Sequence, residues 1–270
     1  MTERLYYTDS YLREFQARVV ERSQDGRTVY LDRTLFYPAS GGQPFDVGSI
    51  AGVAVVEVVE EEEERIAHRL AAPLTAAGEV TGAIDWTRRF DHMQQHSGQH
   101  LLSAVFEELF GLHTVSFHLG AESATIDLEG RPLEALMVTE AERRANQVVS
   151  GNRAIDVRFE NAGEAQGLRK ASEREGTLRI VSIDGLDRRA CGGTHVRTTG
   201  EIGPVLLRKT EKIRQSVRVE FVCGGRAVRR ARQDFEALSK IAQLFSAPLD
   251  DVAPMVAVQL DAAKTGEKAR

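Results

Sequence analysis

The strongest constraint on this chain comes from two small clusters of metal-ligand side chains that lie far apart in it. The first is His96 and His100 in "HSGQH"; the second is Cys191 and His195 in "CGGTH". In "GAIDWTRRFDHMQQHSGQHLLSAVFEELFG", Leu101, Leu102, Val105, Phe106 and Leu109 recur at helical spacing, so the first pair sits on a helix. Residues four apart stack on one helical face, with about 6 Å between Cβ atoms. That suits two imidazoles on one ion. The Gly192–Gly193 pair lets the backbone fold tightly, so Cys191 and His195 can face one centre. All four are ligand types that zinc accepts. Either pair alone fits ordinary surface polar residues as well as it fits a metal. Together, in a chain with two cysteines and seven histidines, they form a candidate zinc site.

The role of such an ion stays open at this point. Four protein ligands would close the site and make it structural, whereas a displaced ligand would leave a position for water or substrate. Ser97 follows the first histidine where zinc proteases of the HExxH type carry Glu, which disfavours that class. His92, one turn earlier, reads as a packing or surface residue, with support of the metal ligands as the alternative. Cys223 lies in an apolar strand and reads as a small core residue.

Around these clusters the texture changes twice. Residues 1–88 read as strands and turns: "ARVVERSQDGRTVYLDRTLFY" alternates and turns at Asp25-Gly26, and "AGVAVVEVVEEEEERIAHRL" forms another strand pair around a solvated acidic bend. Short strands with frequent turns predict a small β-barrel or sandwich. Residues 89–225 read as α+β, with helices on one side of a largely antiparallel sheet. After the histidine helix come a hairpin, "HTVSFHLGAESATIDLEG", and a helix opened by a Thr139/Glu142 capping box. The strand "AIDVRFE", a helical "NAGEAQGLRKASEREG", the strand "LRIVSID" and the loop "GLDRRACGGTHVRTTGEIG" follow, before a closing hairpin. Residues 226–270 read as a helical extension with a polar tail that looks like the start of a further domain. The expected fold class is therefore α+β: an N-terminal β-barrel, an antiparallel α+β domain and C-terminal helices.

Net charge is −5, so bulk charge gives no support to nonspecific nucleic-acid binding, and any such surface has to be local. One local basic region exists: Arg188, Arg189, Arg197, Arg208, Lys209, Lys212, Arg214 and Arg218 surround the second cluster, and Arg226, Arg229, Arg230 and Arg232 follow. A polyanion would require such a patch, although a mixed solvated surface fits it too. Two cysteines do not make a disulfide framework, so a reducing compartment is expected. The N-terminus lacks a signal-peptide shape and no apolar run is long enough for a membrane span, so the expected address is the cytoplasm. "YPASGGQPFDVG" reads either as a tight turn or as a loop whose bare backbone approaches a ligand. It lacks the spacing of a nucleotide-phosphate loop.

Four segments together, "LDRTLFYPASGGQPFDVG", "DHMQQHSGQHLLSA", "CGGTHVRTTGEIGPV" and "VRVEFVCGG", occur in an order and spacing that resemble the editing region of alanyl-tRNA synthetase and its freestanding relatives, the AlaX proteins. The resemblance covers about residues 5–225. It looks like the forms with an extra N-terminal β domain. The chain begins at Met1 without the aminoacylation domain, which implies a freestanding trans-editing protein; the helix from Arg226 resembles the start of the C-terminal extension of the long forms.

The resemblance implies a deacylase that hydrolyses mischarged tRNA(Ala), chiefly Ser-tRNA(Ala) and in some members Gly-tRNA(Ala). It maps zinc ligands onto His96, His100, Cys191 and His195, and the glycine motif onto Gly41 and Gly42. Ser116 corresponds by position to a residue that contacts the seryl hydroxyl, and Gln99, between the histidines, is a second candidate for the catalytic pocket. Thr194 and Arg197 join Gly41 and Gly42 as candidates for substrate binding. An aminoacyl ester is already activated, so its hydrolysis needs a positioned water and stabilisation of the oxyanion. No nucleophilic set is visible, so no covalent intermediate is expected. A pocket built to hydrogen-bond the seryl hydroxyl would reject alanine, which leaves that pocket's polar groups unpaired. The alternatives are a zinc-stabilised tRNA-binding module without hydrolytic activity and a general metallohydrolase for small esters. The oligomeric state is left open.

Overall fold

The structure, a computed structural model, describes residues 1–130, 132–170 and 175–268. Two compact units make up the chain, Met1–Arg226 and Ala227–Arg270. The first begins with strands β1 (Glu3–Arg4), β2 (Glu14–Arg22), β3 (Thr28–Leu31), β4 (Arg33–Thr34), β5 (Gly48–Ile50), β6 (Val53–Glu61), β7 (Arg65–Leu70) and β8 (Glu79–Ile84). Helix α1 (Trp86–Phe110) follows, then β9 (Thr114–Leu119), β10 (Ala124–Glu129), α2 (Ala135–Ser150), β11 (Ile155–Asn161), β12 (Thr177–Ile183), β13 (Asp187–Ala190), β14 (Val205–Ile213) and β15 (Ser216–Cys223). Helix α3 (Gly224–Phe245) leads into the second unit, which also holds α4 (Val252–Lys268). Among the described residues no single helix is long and apolar enough to cross a membrane.

Strands β2, β3, β7, β6, β5 and β8 pair in a closed order, each neighbour antiparallel. The alternation seen in the sequence points Val29, Leu31, Ile50, Val58, Ile66 and Val80 into one shared core. The acidic run turns at Glu62–Glu64, whose side chains are exposed. A second antiparallel sheet runs β14-β15-β10-β9, and a third runs β11-β12-β13. Helix α1 lies on the four-stranded sheet and buries Leu101, Leu102, Val105 and Phe106 against Ile126, Leu128, Val219 and Phe221. The result is a mixed α and β fold with antiparallel sheets.

Four contacts set where α1 lies. Asp85 caps its first turn, accepting from the Arg88 N–H at 3.1 Å. Further along, Gly98 meets Cys223 so closely that a Cβ would overlap the Cys223 sulfur. The Gln95 amide beside it pairs with the Cys223 backbone, donating to its carbonyl at 3.1 Å and accepting from its N–H at 2.9 Å. The histidine helix is thereby pinned to the end of β15. At its start, the fully buried Arg89 reaches the fully buried Asp46 at 2.5 Å and the Ser10 carbonyl at 3.0 Å, tying α1 to the glycine-rich segment.

Three local expectations are corrected. Helix α2 begins at Ala135, not at a Thr139/Glu142 box: Thr139 donates to the Ala135 carbonyl at 3.1 Å, and the Glu142 carboxylate accepts the Leu207 N–H at 2.7 Å instead of capping. Of the expected helix in "NAGEAQGLRKASEREG", residues 161–170 form a strand end and turns, while 171–174 lie outside the described residues. Gly163 explains part of this, because its N–H bonds the Asn161 side chain at 3.0 Å, a local turn that competes with helix. Within the expected loop after β12, Asp187–Ala190 forms a strand, β13, antiparallel to β12.

Candidate metal centre

The two remote clusters meet. One ligand atom each from His96, His100, Cys191 and His195 lies within 4.8 Å of all the others. The three histidines are buried and Cys191 is half-buried. The Cys191 sulfur is 3.5 Å from His96 Nε2 and 3.3 Å from His195 Nε2. Helix α1 supplies one pair, and the turn after β13 supplies the other. Gly193 in that turn passes so near His96 that a Cβ would overlap the imidazole ring.

Each histidine is oriented through its other nitrogen. The Gln43 side-chain oxygen accepts the Thr194 backbone N–H at 3.1 Å, which fixes it as the oxygen; it also lies 2.8 Å from His96 Nδ1. His96 Nδ1 is therefore the donor, and its Nε2 lone pair faces the centre. His100 Nδ1 lies 3.2 Å from Asp187, leaving its Nε2 for the centre. Ser97 Oγ accepts the Val196 N–H at 3.2 Å and lies 3.1 Å from His195 Nδ1. Such partners fix tautomer and ring direction at histidine-bound metals.

The electrostatics of three of the four groups match a metal-binding set. Burial pushes the Cys191 thiol up, but the neighbouring His96 and His195 outweigh it and hold the thiol well below its usual range. Burial lowers His195 to about 3 and also lowers His96, which keeps their lone pairs free. Burial acts the same way on His100, but its bond to Asp187 overrides it and raises the group. Deprotonated sulfur and neutral imidazole are the forms that ligate a metal.

His96, His100 and Cys191 line a cavity of about 520 Å3, which Gly41, Tyr7 and Phe117 also line. Gly41 is open on its Cβ side, at φ 54°; Gly42, at φ 84°, lies against the Phe117 ring, which a Cβ would meet at 2.9 Å. Thr194 is fully buried and bonds Gln43, whose amide donates to its hydroxyl at 2.9 Å. Gln99 is fully buried, donates to Ser103 at 2.8 Å, and keeps its oxygen unpartnered. Ser116 is exposed and donates to Asp127 at 2.7 Å, with the strand turning Phe117, not Ser116, towards His96. Arg197 is exposed, 3.2 Å from Asp9 and stacked over Tyr11. The structure thus gathers the four ligands and Gly41, places Thr194 and Gly42 behind them, and leaves Ser116 and Arg197 outside the cavity lining. His92 is buried, with Nδ1 unpartnered, and Cys223 is a fully buried core residue.

Sequence reasoning missed Gln43, Asp187 and Arg179. Gln43 stands beside the two glycines already singled out, and Asp187 stands four positions before Cys191. Proximity to known motifs was the only signal either gave. The basic region is less free than its composition implies. Arg188, Arg218 and Arg226 pair with Glu160, Asp127 and Asp91, acids contributed by other elements.

Residues 178–219 match the family model described as the threonyl and alanyl tRNA synthetase second additional domain. The chain is 37% identical over 247 residues to the alanyl-tRNA editing protein AlaX-L of Pyrococcus horikoshii, covering 86% of this chain and 61% of that one. It is 36% identical over 264 residues to the alanine–tRNA ligase of Pyrococcus furiosus, covering 92% of this chain and 28% of the ligase. It therefore spans about three fifths of the first relative and just over a quarter of the second. Against the alanyl-tRNA editing protein AlaX-M of Methanosarcina acetivorans the identity is 36% over 231 residues, covering 78% of this chain and 94% of the relative. A likeness at 36% identity that runs nearly the whole length of that protein makes this chain a member of the alanyl-tRNA editing family, the AlaX proteins.

Proposed function

We propose that this chain is a trans-editing deacylase, which hydrolyses the aminoacyl ester of mischarged tRNA(Ala), chiefly Ser-tRNA(Ala) and secondarily Gly-tRNA(Ala). One observation carries the reading: four ligand atoms lie within 4.8 Å of one another, and three of their residues line a cavity that the glycine-rich segment also borders. The names of the AlaX-L and AlaX-M relatives support it.

Zinc is the ion proposed for His96, His100, Cys191 and His195. One thiolate and three imidazoles, each imidazole held at Nδ1, form a donor set that zinc favours over magnesium or calcium, which take oxygen ligands. When bound, zinc supplies a fixed positive charge beside the ester. The chain does the rest. Gln43 and Asp187 orient the rings, and Gly41 leaves room for backbone to approach the substrate. Residues 1–88, read as a small barrel domain, carry that glycine segment; the closed strand order supports this reading. The Gln99 oxygen is unpartnered but fully buried and outside the cavity lining, so a seryl side chain would reach it only if the pocket deepened on binding.

The test is deacylation of Ser-, Gly- and Ala-tRNA(Ala) by purified protein, with metal content measured on the same sample. Release of serine with Ala-tRNA(Ala) spared is expected. Binding of tRNA with no release of any amino acid would overturn the proposal in favour of a binding module.

A further inference from the structure

Two arginines that line the cavity beside the metal centre, Arg179 and Arg189, are in no ion pair among the described residues. Arg179, on β12, is 7% exposed. Its Nε donates to the Tyr7 carbonyl at 3.0 Å, and its Nη1 to the carbonyls of Cys191 at 2.7 Å and Gly193 at 2.9 Å. Its Nη2 has no partner. Arg89, which is fully buried, has Asp46 as its counter-ion; Arg179 has only backbone oxygens.

Arg189, on β13, lines the same cavity. Its Nη1 is buried without a partner, and among the described residues no ion pair engages it. Lys170 stands exposed at the rim. Of the acids that line the cavity, Glu60 is already bound to Arg4, and Glu64 is exposed on the turn after β6. Five aromatic side chains, Tyr6, Tyr7, Tyr37, Phe117 and Phe159, also line it.

A buried guanidinium without a counter-ion is costly to maintain, and an anion from outside would complete it. Guanidinium groups favour phosphate, and aromatic walls favour bases. We propose that Arg179 and Arg189 form an anion subsite in this cavity that takes the phosphate on the 5′ side of the terminal adenosine, while the aminoacyl ester lies at the metal centre. The choice of ligand rests on the deacylase reading above. Arg189 is the contact residue, because it is half-exposed and unengaged. Arg179, more deeply buried, supplies charge from within.

The probes are adenosine 5′-monophosphate carrying a 3′-seryl amide in place of the ester, the same compound without the phosphate, and inorganic phosphate alone. Each is titrated calorimetrically into the full-length, zinc-loaded protein. The phosphorylated compound is expected to bind roughly tenfold or more tightly than its phosphate-free counterpart. Arg189→Ala abolishes that difference without changing the affinity of the phosphate-free compound, and Arg189→Lys retains part of it. Inorganic phosphate competes with the phosphorylated compound only. Equal binding of the two compounds by the wild type, or an equal loss for both in Arg189→Ala, overturns the inference. Ser-tRNA(Ala) turnover is measured in parallel. Turnover with phosphate-independent binding removes this inference alone, and phosphate-dependent binding without turnover removes the deacylase reading alone.

Discussion

The Gln43 side-chain oxygen lies 2.8 Å from His96 Nδ1, joining the glycine-rich segment to the metal cluster through one atom. The same oxygen accepts the Thr194 N–H at 3.1 Å, so three sequence-remote motifs converge on it. Gln43→Ala removes the acceptor that fixes the His96 tautomer. Metal affinity is expected to fall about 10- to 100-fold, measured by competition with a chromogenic chelator, and deacylation to fall with it. Gln43→Glu keeps an acceptor for His96 and recovers part of the affinity. Unchanged metal affinity in Gln43→Ala would remove the orienting role.

Direct loss of a ligand is more severe. His96→Ala and Cys191→Ala are each expected to leave protein with no stoichiometric zinc and with deacylation reduced at least about 100-fold. Ser116→Ala provides the contrast. Its hydroxyl is committed to Asp127 at 2.7 Å on an exposed face, so kcat/KM for Ser-tRNA(Ala) is expected to change less than about threefold. A larger loss in Ser116→Ala with normal thermal stability would restore it as a pocket residue.

How much of this was legible in the sequence follows from the range of each interaction. Hairpins such as β9 with β10 and the long helix α1 are written in local periodicity, and they appear where the alternation and the 3.6-residue spacing put them. The candidate metal-binding cluster was legible because two short motifs carried rare residue types. Helix α2 was misplaced at its start because Glu142 serves a strand 65 positions away instead of its own helix end. Gln43, Asp187 and Arg179 were invisible for the same reason: an isolated polar residue acquires a role only from a partner that folding brings to it. The basic region misled in the opposite direction, since the acids Glu160, Asp127 and Asp91 that neutralise it come from separate elements.

The contact between Gly98 and Cys223 gives a test of how α1 is seated. Alanine favours helix over glycine by about 1 kcal/mol, so Gly98→Ala would stabilise an exposed helix. Here the new Cβ overlaps the Cys223 sulfur, so the variant is expected to be less stable by about 1–3 kcal/mol in urea unfolding. Shortening the opposing side chain in Gly98→Ala/Cys223→Ala should recover most of that loss. Recovery would appear as a favourable coupling energy in the double-mutant cycle. Additive losses would mean the two residues do not share the space.

His68 sets an acid limit on stability. It is fully buried in the ring of strands, with Nε2 2.8 Å from the Thr34 hydroxyl and Nδ1 3.2 Å from the Val29 carbonyl. Burial lowers its pKa from 6.5 to about 4. The folded state therefore holds this ring neutral while the unfolded chain protonates it. Its contribution to stability is fully present above about pH 6.5, declines as pH falls, and is gone near pH 4, where the folded ring also takes a proton. A shift of this size corresponds to about 3 kcal/mol over that window. His68→Gln keeps the hydrogen-bonding capacity without a titratable ring. Its urea-unfolding free energy, followed from pH 7 to pH 4, should decline less steeply than the wild type's by about that amount. Parallel profiles for the two proteins would show that His68 does not titrate differently on folding.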